Sequence, residues 1–263
     1  MHGIQPIDPG RRIDWGKTSD DYAAHRPGPP DSLYVRLAAL GIGLAGQRLL
    51  DLGTGTGVIA RRMASQGAHV TGIDVALEQV AAARRLARAE GLDAQFVCAP
   101  AEAAPFAAHA FDAVTANQCW LYFDKATLLP QLRRVLAPSG LVVTSHNCWL
   151  PRRDRLAART EALVLKYNPA WTGADWLGII PDVPTWTRGE AKVRATFYYD
   201  EPVPFTRESW RGRIRACRGV GATLAPDEVA RFDAELEELL KNEAAETFEV
   251  LHRIDAHVCE LIG

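Results

Sequence analysis

Short apolar runs alternate with helix-like segments between residues 48 and 147. Between the runs, apolar residues recur at the three- and four-residue spacing of one helix face, as they do from Leu77 to Leu86. Strands and helices that alternate in this way form parallel sheets joined by right-handed crossovers. The pattern therefore predicts an α/β fold with helices near residues 57–66, 76–90 and 125–136.

The pattern continues less regularly outside this segment. A helix is predicted to start near Asp31, before the first apolar run. Apolar residues alternate over residues 193–200 and 248–258, which predicts two further strands. Residues 207–220 and 227–241 predict two helices between those strands.

Residues 148–192 have no regular apolar period and carry four tryptophans among several prolines. Aromatic residues spread over such an insertion favour one of two arrangements. They form a satellite hydrophobic core, or they form the walls of an apolar substrate pocket. The tryptophans are Trp149, Trp171, Trp176 and Trp186.

A glycine-rich turn follows the first apolar run, with Asp51 at the end of the run and glycines at 53, 55 and 57. Glycine lets the backbone approach a ligand and adopt positive φ. A dinucleotide-binding turn has the form Gly-x-Gly-x-x-Gly, but here Val58 occupies the third glycine position. A carboxylate at Asp51 repels a pyrophosphate and attracts an ammonium and a sulfonium. The turn therefore predicts a site for S-adenosylmethionine (SAM).

The segment from Asp51 to Gly57 resembles the first motif of the class I SAM-dependent methyltransferases of the type 11 kind, acidic-x-Gly-x-Gly-x-Gly. Asp74 ends the next strand 17 residues after Gly57. That spacing is close to the roughly 20 residues at which a Rossmann-type acid reaches a ribose hydroxyl. The alternative role of Asp74 is to cap the helix that begins close by.

Three further segments are similar to later motifs of the same family. They are Ala94–Glu102 for the third strand and adenine turn, Phe111–Gln118 for the fourth strand, and Leu132–Thr144 for the helix, turn and fifth strand. The resemblance covers roughly residues 15–147. It implies SAM as cofactor, S-adenosylhomocysteine (SAH) as product and a small organic molecule as methyl acceptor.

The same resemblance implies the architecture. We expect a Rossmann-like sheet of seven mostly parallel strands with helices on both faces, an N-terminal helical cap and a C-terminal insertion lobe. The cap is predicted at residues 1–45 and the SAM-binding core at 46–147. Residues 148–263 then hold the substrate-side insertions and the last two strands of the sheet.

The resemblance also implies a set of cofactor-binding residues, spread over the cap and the first four strands. They are Tyr22, Arg26, Asp51, Gly53, Thr54, Gly55, Gly57, Asp74, Val75, Ala101, Glu102, Asn117 and Gln118. Tyr22, Arg26 and Pro27 match a Tyr-x-x-x-Arg-Pro element that closes over the cofactor in methyltransferases of this kind. The alternative is a surface helix with one anchoring aromatic residue.

The fourth strand is followed by Trp120–Asp124, which loosely resembles a stretch of the trans-aconitate methyltransferase relatives. Those relatives carry a histidine where this chain has Leu121. His146, at the end of the fifth strand, is therefore the predicted general base, although a lone histidine there is also compatible with a structural role. Trp120 and Tyr122 are predicted to contact the substrate.

Four arginines crowd residues 211–218. On a helix, Arg211, Arg215 and Arg218 share one face because they are spaced by four and three residues. Arg211 and Arg215 are predicted to clamp a carboxylate of the substrate. The alternative is a solvent-exposed charged face.

The charge and the cysteine content of the chain limit which binding partners are expected. The chain has 30 basic and 32 acidic residues, so its overall charge does not favour binding to nucleic acid or to an anionic membrane. Five scattered cysteines form no zinc-binding pair, and no metal site is predicted.

We see no secretory signal and no apolar stretch near the ~20 residues that span a bilayer, and expect a cytoplasmic protein. The oligomeric state stays open.

Two other functions share parts of this pattern. A nicotinamide-dependent oxidoreductase has the same strand, turn and ribose-binding acid. A SAM-binding protein that transfers no methyl group has the same cofactor motifs. A nucleic-acid methyltransferase is disfavoured, because Asn117–Trp120 lacks the paired prolines of the amino-methylating enzymes.

Overall fold

The computed structural model describes residues 7–8, 13–26 and 28–262. The helices in this part of the chain are α1 Ser19–His25, α2 Asp31–Ala39, α3 Val58–Ala64, α4 Leu77–Ala89, α5 Lys125–Val135, α6 Arg155–Tyr167, α7 Arg207–Arg215 and α8 Pro226–Glu243. The strands are β1 Arg48–Leu52, β2 His69–Asp74, β3 Ala94–Cys98, β4 Phe111–Asn117, β5 Leu136–Trp149, β6 Ala191–Thr206 and β7 Thr247–Leu261.

The seven strands form one sheet in the order β3-β2-β1-β4-β5-β7-β6. Strands β1 to β5 pair with one another in parallel. The predicted α/β fold and mostly parallel sheet are confirmed. The strand order reverses between β1 and β4, and open α/β sheets bind ligands beyond the carboxyl ends of the strands at such a point.

Most predicted helices are confirmed, with two differences at the residue level. Helix α4 buries Val80, Ala83 and Ala87, whereas Leu77, which the pattern places on the same face, is 59% exposed. The helix predicted over 207–220 ends at Arg215, because the backbone N–H of Gly221 turns back and donates to the Arg215 carbonyl. No element was predicted for the region that forms α6.

The chain folds into two compact units. Unit 2 comprises residues 28–148, 180–200 and 253–262 and contains β1–β4, most of β5, and α2–α5. One face of its sheet buries Leu33 and Leu37 of α2 in a core with α3 and α4. The other face buries Leu128 and Leu132 of α5.

Unit 1 comprises residues 7–8 and 13–26, Trp149–Ile179 and Glu201–His252. It contains α1 and α6–α8 around an aromatic core. Trp149 and Trp171 are buried in this core, so the satellite-core interpretation is confirmed for both. Trp186 instead packs within unit 2 against Trp120, with 4.7 Å between ring centroids.

These two units have other bounds than the three predicted segments, whose functional division stays a prediction. The segment 1–45 is split because α2 packs on the sheet, whereas α1 packs on α7 within unit 1. The segment 148–263 is also divided between the two units. Within the described residues, no helix combines the length and apolarity needed to cross a bilayer.

Candidate functional site

The glycine turn joins β1 to α3 at the point where the strand order reverses. Gly53, Gly55 and Gly57 have φ angles of 55°, 55° and 78°, so the predicted left-handed backbone is confirmed. A Cβ at Gly53 lies 2.8 Å from the Cβ of Cys119, and a Cβ at Gly57 lies 2.8 Å from the Phe96 ring. The turn therefore needs glycine both for its conformation and for its close packing.

Asp51 lies under this turn and is 2% exposed. Its Oδ1 accepts a hydrogen bond from Thr115 Oγ1, and its Oδ2 accepts one from Thr54 Oγ1, both at 2.7 Å. The carboxylate and the Thr54 hydroxyl are buried and bonded to each other, and the direct contact of these two residues with a ligand stays a prediction. Asp51 ties the turn to β4.

Burial raises the pKa of Asp51 to about 6 from an ordinary value of 3.8, although the Thr54 and Thr115 hydroxyls oppose the shift. The folded chain then binds more protons than the unfolded chain between about pH 4 and 6, so the free energy of unfolding falls as the pH rises through this window. We expect a loss of about 2–3 kcal/mol in wild type that is missing in Asp51→Asn. Urea unfolding at a series of pH values measures it.

Asp112 provides the control for this pH dependence. Its bonds with Arg48 lower its pKa, so the sign is opposite and its contribution to stability is lost as the pH falls. Asp112→Asn should therefore leave the loss of stability between about pH 4 and 6 in place. Parallel pH profiles for wild type and Asp51→Asn would contradict the assignment of that loss to Asp51.

Asp74 lies at the carboxyl end of β2 and holds the same turn from the other side. Its Oδ2 accepts from the backbone N–H of Gly55 and its Oδ1 from that of Ala76, both at 2.9 Å. The N-cap of α4 is Ala76, without a side-chain cap, so the capping alternative for Asp74 is wrong. Because each carboxylate oxygen carries two lone pairs, the half-buried Asp74 retains acceptor capacity for a ligand hydroxyl.

The residues predicted around the adenine occupy two neighbouring strand ends. Val75 follows β2 and is 63% exposed. Ala101 is buried and begins a short 3₁₀ turn after β3. The carboxylate of Glu102 accepts a hydrogen bond from the Asp124 backbone N–H at 3.1 Å. The adenine contacts themselves stay predictions.

The end of β4 carries a strained residue that no local sequence signal indicates. Gln118 has a φ of 63°, a conformation that concentrates at functional sites in residues other than glycine. Its backbone N–H donates to the Ser145 carbonyl, and its side-chain amide donates to the Asn147 carbonyl at 2.8 Å. The Asn117 amide oxygen accepts from Ser145 Oγ at 3.0 Å. These bonds fix the ends of β4 and β5 against each other.

Trp120 and Tyr122 lie in the 3₁₀ turn that follows β4. Trp120 is buried between Trp186 and Phe123, where it has a packing role. Its contact with a substrate stays a prediction. Tyr122 is half-buried, and its contact with a substrate stays a prediction.

His146 lies near the end of β5, with its Nδ1 3.1 Å from Oδ1 of Asp255. Its side chain is 32% exposed, whereas that of Asp255 is completely buried. Sequence reasoning missed Asp255 because the two residues are 109 positions apart and meet only when β7 lies beside β5.

The cap residues belong to unit 1. The Arg26 guanidinium stacks over the Tyr22 ring at 4.4 Å from its centroid. Pro27 lies outside the described residues. Closure of Tyr22 and Arg26 over a cofactor stays a prediction.

The side chains of Arg211 and Arg215 bond acidic residues within unit 1. Arg211 and Arg215 both bond Asp233 of α8, and Arg215 also bonds Asp21 of α1 with its Nη2 2.8 Å from Oδ1. These bonds raise the pKa of Arg211, with the Asp233 bond as the largest cause. The alternative of a solvent-exposed face is wrong, because the guanidinium groups are largely buried and hold α7 to α1 and α8. The substrate clamp stays a prediction.

Comparison with known proteins identifies the central part of the chain. Residues 49–140 match the family described as a methyltransferase domain. The chain is 44% identical over 111 residues to the demethylmenaquinone methyltransferase of Thermus thermophilus, covering 41% of this chain and 50% of that one. It is 36% identical over 105 residues to a ubiquinone biosynthesis O-methyltransferase of Aeromonas salmonicida, covering 39% and 44%. The chain thus spans about half the length of these relatives.

The fold is shared with solved methyltransferases. A phosphoethanolamine N-methyltransferase of Haemonchus contortus, solved with SAH, superposes with a TM-score of 0.53 and 19% identity over 92% of this chain and 57% of that one. The matched domain contains β1 to β4 and the glycine turn at the reversal of the strand order. Residues 49–140 are therefore similar to the methyltransferase domain family in sequence, and the fold of the chain is that of solved methyltransferases.

Proposed function

We propose that the protein transfers a methyl group from SAM to a small organic molecule. The observation that carries the proposal is the glycine turn, whose Gly55 N–H is held by Asp74 at the reversal of the strand order. The named relatives are a demethylmenaquinone methyltransferase and a ubiquinone biosynthesis O-methyltransferase. This chain matches those relatives over only about half of their length. Its activity is therefore inferred from the geometry of its own candidate site.

The residues around the turn fit the shape and polarity of SAM. Asp74 offers acceptor lone pairs to ribose hydroxyls beside the bonds it makes to the backbone. Val75 and Leu77 present exposed apolar surface directly after Asp74, with exposed fractions of 63% and 59%. An adenine that covers this surface gains hydrophobic burial. A polar ribose site beside an apolar base site is the pairing that an adenosyl group requires.

Bound SAM supplies a methyl group that is already activated by a sulfonium, so we propose direct in-line displacement without a metal. The chain then has to hold the acceptor in line and exclude water. The acceptor is reached from the ends of β4 and β5, where Gln118 and Ser145 fix the backbone. All five cysteines are free thiols, as in proteins of reducing compartments, and the cytoplasm is the proposed location.

Binding and turnover are tested separately. Calorimetric titration with SAM, SAH and NADH should show binding of the first two and none of NADH, because Val58 occupies the third glycine position of a dinucleotide site. Incubation with SAM and a metabolite extract should then release SAH and add one methyl group to an acceptor, identified by mass. SAH binding without release would instead favour a SAM-binding protein without transfer.

Asp74→Ala is expected to weaken SAH binding by about 1.5–3 kcal/mol, the range for a hydrogen bond to a charged group. It removes the acceptor of the Gly55 N–H and the proposed acceptor of the ribose hydroxyls. Calorimetry measures the affinity. Asp112→Ala is the control, since it removes a carboxylate that bonds Arg48. Unchanged affinity in folded Asp74→Ala would contradict the ribose contact.

A further inference from the structure

The His146–Asp255 pair lies one strand away from the proposed methyl site. Asn117, the last residue of β4, pairs with Ser145 of β5, so His146 is level with Gln118 at the carboxyl edge of the sheet. Strand β7 follows β5 in the sheet and supplies Asp255. The pair therefore lies at the same edge of the sheet as the proposed methyl site.

Asp255 is fully buried, and one of its oxygens is unsatisfied. Oδ1 faces Nδ1 of His146, while Oδ2 has no hydrogen-bond partner among the described residues. Burying a carboxylate with a single partner is costly, because neither the charge nor the second oxygen recovers its hydration. A buried polar group left in this state needs a reason beyond stability.

The neighbouring charged and titratable groups have other partners. Arg253, on the same strand, bonds both oxygens of Asp200 on β6, and the Asp255 charge contributes to the raised pKa of Arg253. His257, also on β7, has its Nε2 2.7 Å from the Pro181 carbonyl oxygen. His146 is thus the group that Asp255 bonds directly.

We propose that His146 is the general base of the reaction and that Asp255 is its positioning residue. As a carboxylate, Asp255 accepts the Nδ1–H of His146 and thereby fixes the tautomer in which Nε2 carries a lone pair. His146 has no hydrogen bond at Nε2 among the described residues, and a third of its side chain is exposed. This inference rests on the proposed methyl transfer.

The proposed methyl transfer needs one base and one acceptor. The acceptor's O–H or N–H gives its proton to Nε2 of His146, and the lone pair left on that atom forms the new bond to the methyl carbon. The bond from carbon to sulfur breaks with its electron pair on sulfur, which gives SAH and an imidazolium that Asp255 stabilises. A base is needed only for a nucleophile that loses a proton. The acceptor class is therefore a protic nucleophile, such as a hydroxyl group.

The tautomer of His146 is measured first, from ring ¹⁵N chemical shifts of the full chain, with His146→Gln for assignment. The proposal requires the Nδ1–H tautomer in wild type and its loss in Asp255→Asn. The Nε2–H tautomer in wild type would mean that a protonated Asp255 donates to Nδ1, and would overturn the proposal. This measurement needs no acceptor.

The tautomer alone does not show catalysis, because a purely structural pair would also fix it. Turnover is therefore measured as SAH release from SAM in the presence of a metabolite extract. His146→Gln and Asp255→Asn should each lower the rate about 100-fold or more, the range for loss of general-base catalysis, with SAH affinity unchanged. His257→Gln is the matched control and should keep the wild-type rate. Rates near that of wild type in the first two variants overturn the proposal. SAH binding without release in wild type makes the proposed function fail, and the inference with it.

Discussion

A Gly55→Val variant is expected to fold and to bind SAH about 100-fold more weakly than wild type or worse, a loss of roughly 2.7 kcal/mol. Gly55 lies at the tip of the turn with a φ of 55°, and its N–H is held by Asp74. A branched side chain at this position strains the backbone and keeps a ligand away from it. Calorimetric titration with SAH and the melting temperature of each variant measure the two effects separately.

Gly91→Val is the matched control for backbone strain. Gly91 also has positive φ, at 67°, and a Cβ there has no heavy atom within 4 Å. Its substitution should lower the melting temperature through strain alone and leave SAH affinity unchanged. If folded Gly55→Val binds SAH as tightly as Gly91→Val, the turn does not form the cofactor site.

The parts of the fold that local patterns encode were predicted well. Strands β1 to β4 and helices α3 to α5 follow directly from short apolar runs and from helical periodicity. The positive φ angles of the turn follow from its three glycines, since other residues avoid that conformation. Helix α6 was not predicted, because tryptophans and prolines obscure the periodicity of residues 148–192.

The side-chain partners that the sequence does not reveal have one feature in common, which is that they lie far away along the chain. Asp51 was assigned to a ligand because its acceptor capacity is visible in the sequence, whereas its bond to Thr115 spans 64 positions. Arg215 was assigned to a substrate carboxylate, whereas one of the two carboxylates that it binds within the chain is Asp21, 194 positions away. Residue types therefore predicted the kind of interaction, and only the fold identifies the partner.

Trp210→Ala is expected to lower the free energy of unfolding of unit 1 by about 3–5 kcal/mol, the cost of removing a large aromatic side chain from a core. Trp210 is completely buried, with ring centroids 4.8 Å from Phe205 and 5.6 Å from Trp149. Its indole N–H donates to Thr160 Oγ1 at 3.1 Å. The substitution leaves a cavity among aromatic rings that cannot collapse fully.

Trp210→Phe separates the loss of stability caused by the cavity from the loss caused by the missing indole hydrogen bond. It keeps most of the ring volume, and Thr160 retains its bond to the Leu156 carbonyl, so the cost should fall to about 1–2 kcal/mol. Trp176→Ala is the second control, because Trp176 is only half-buried and is not part of this aromatic core. Because a chain with two units need not unfold in one step, amide hydrogen exchange of α7 and α8 is the measurement that reports on unit 1. Equal protection in Trp210→Ala and Trp176→Ala would contradict a central role for Trp210, since removing a side chain at the centre of the core must cost more stability than removing one outside it.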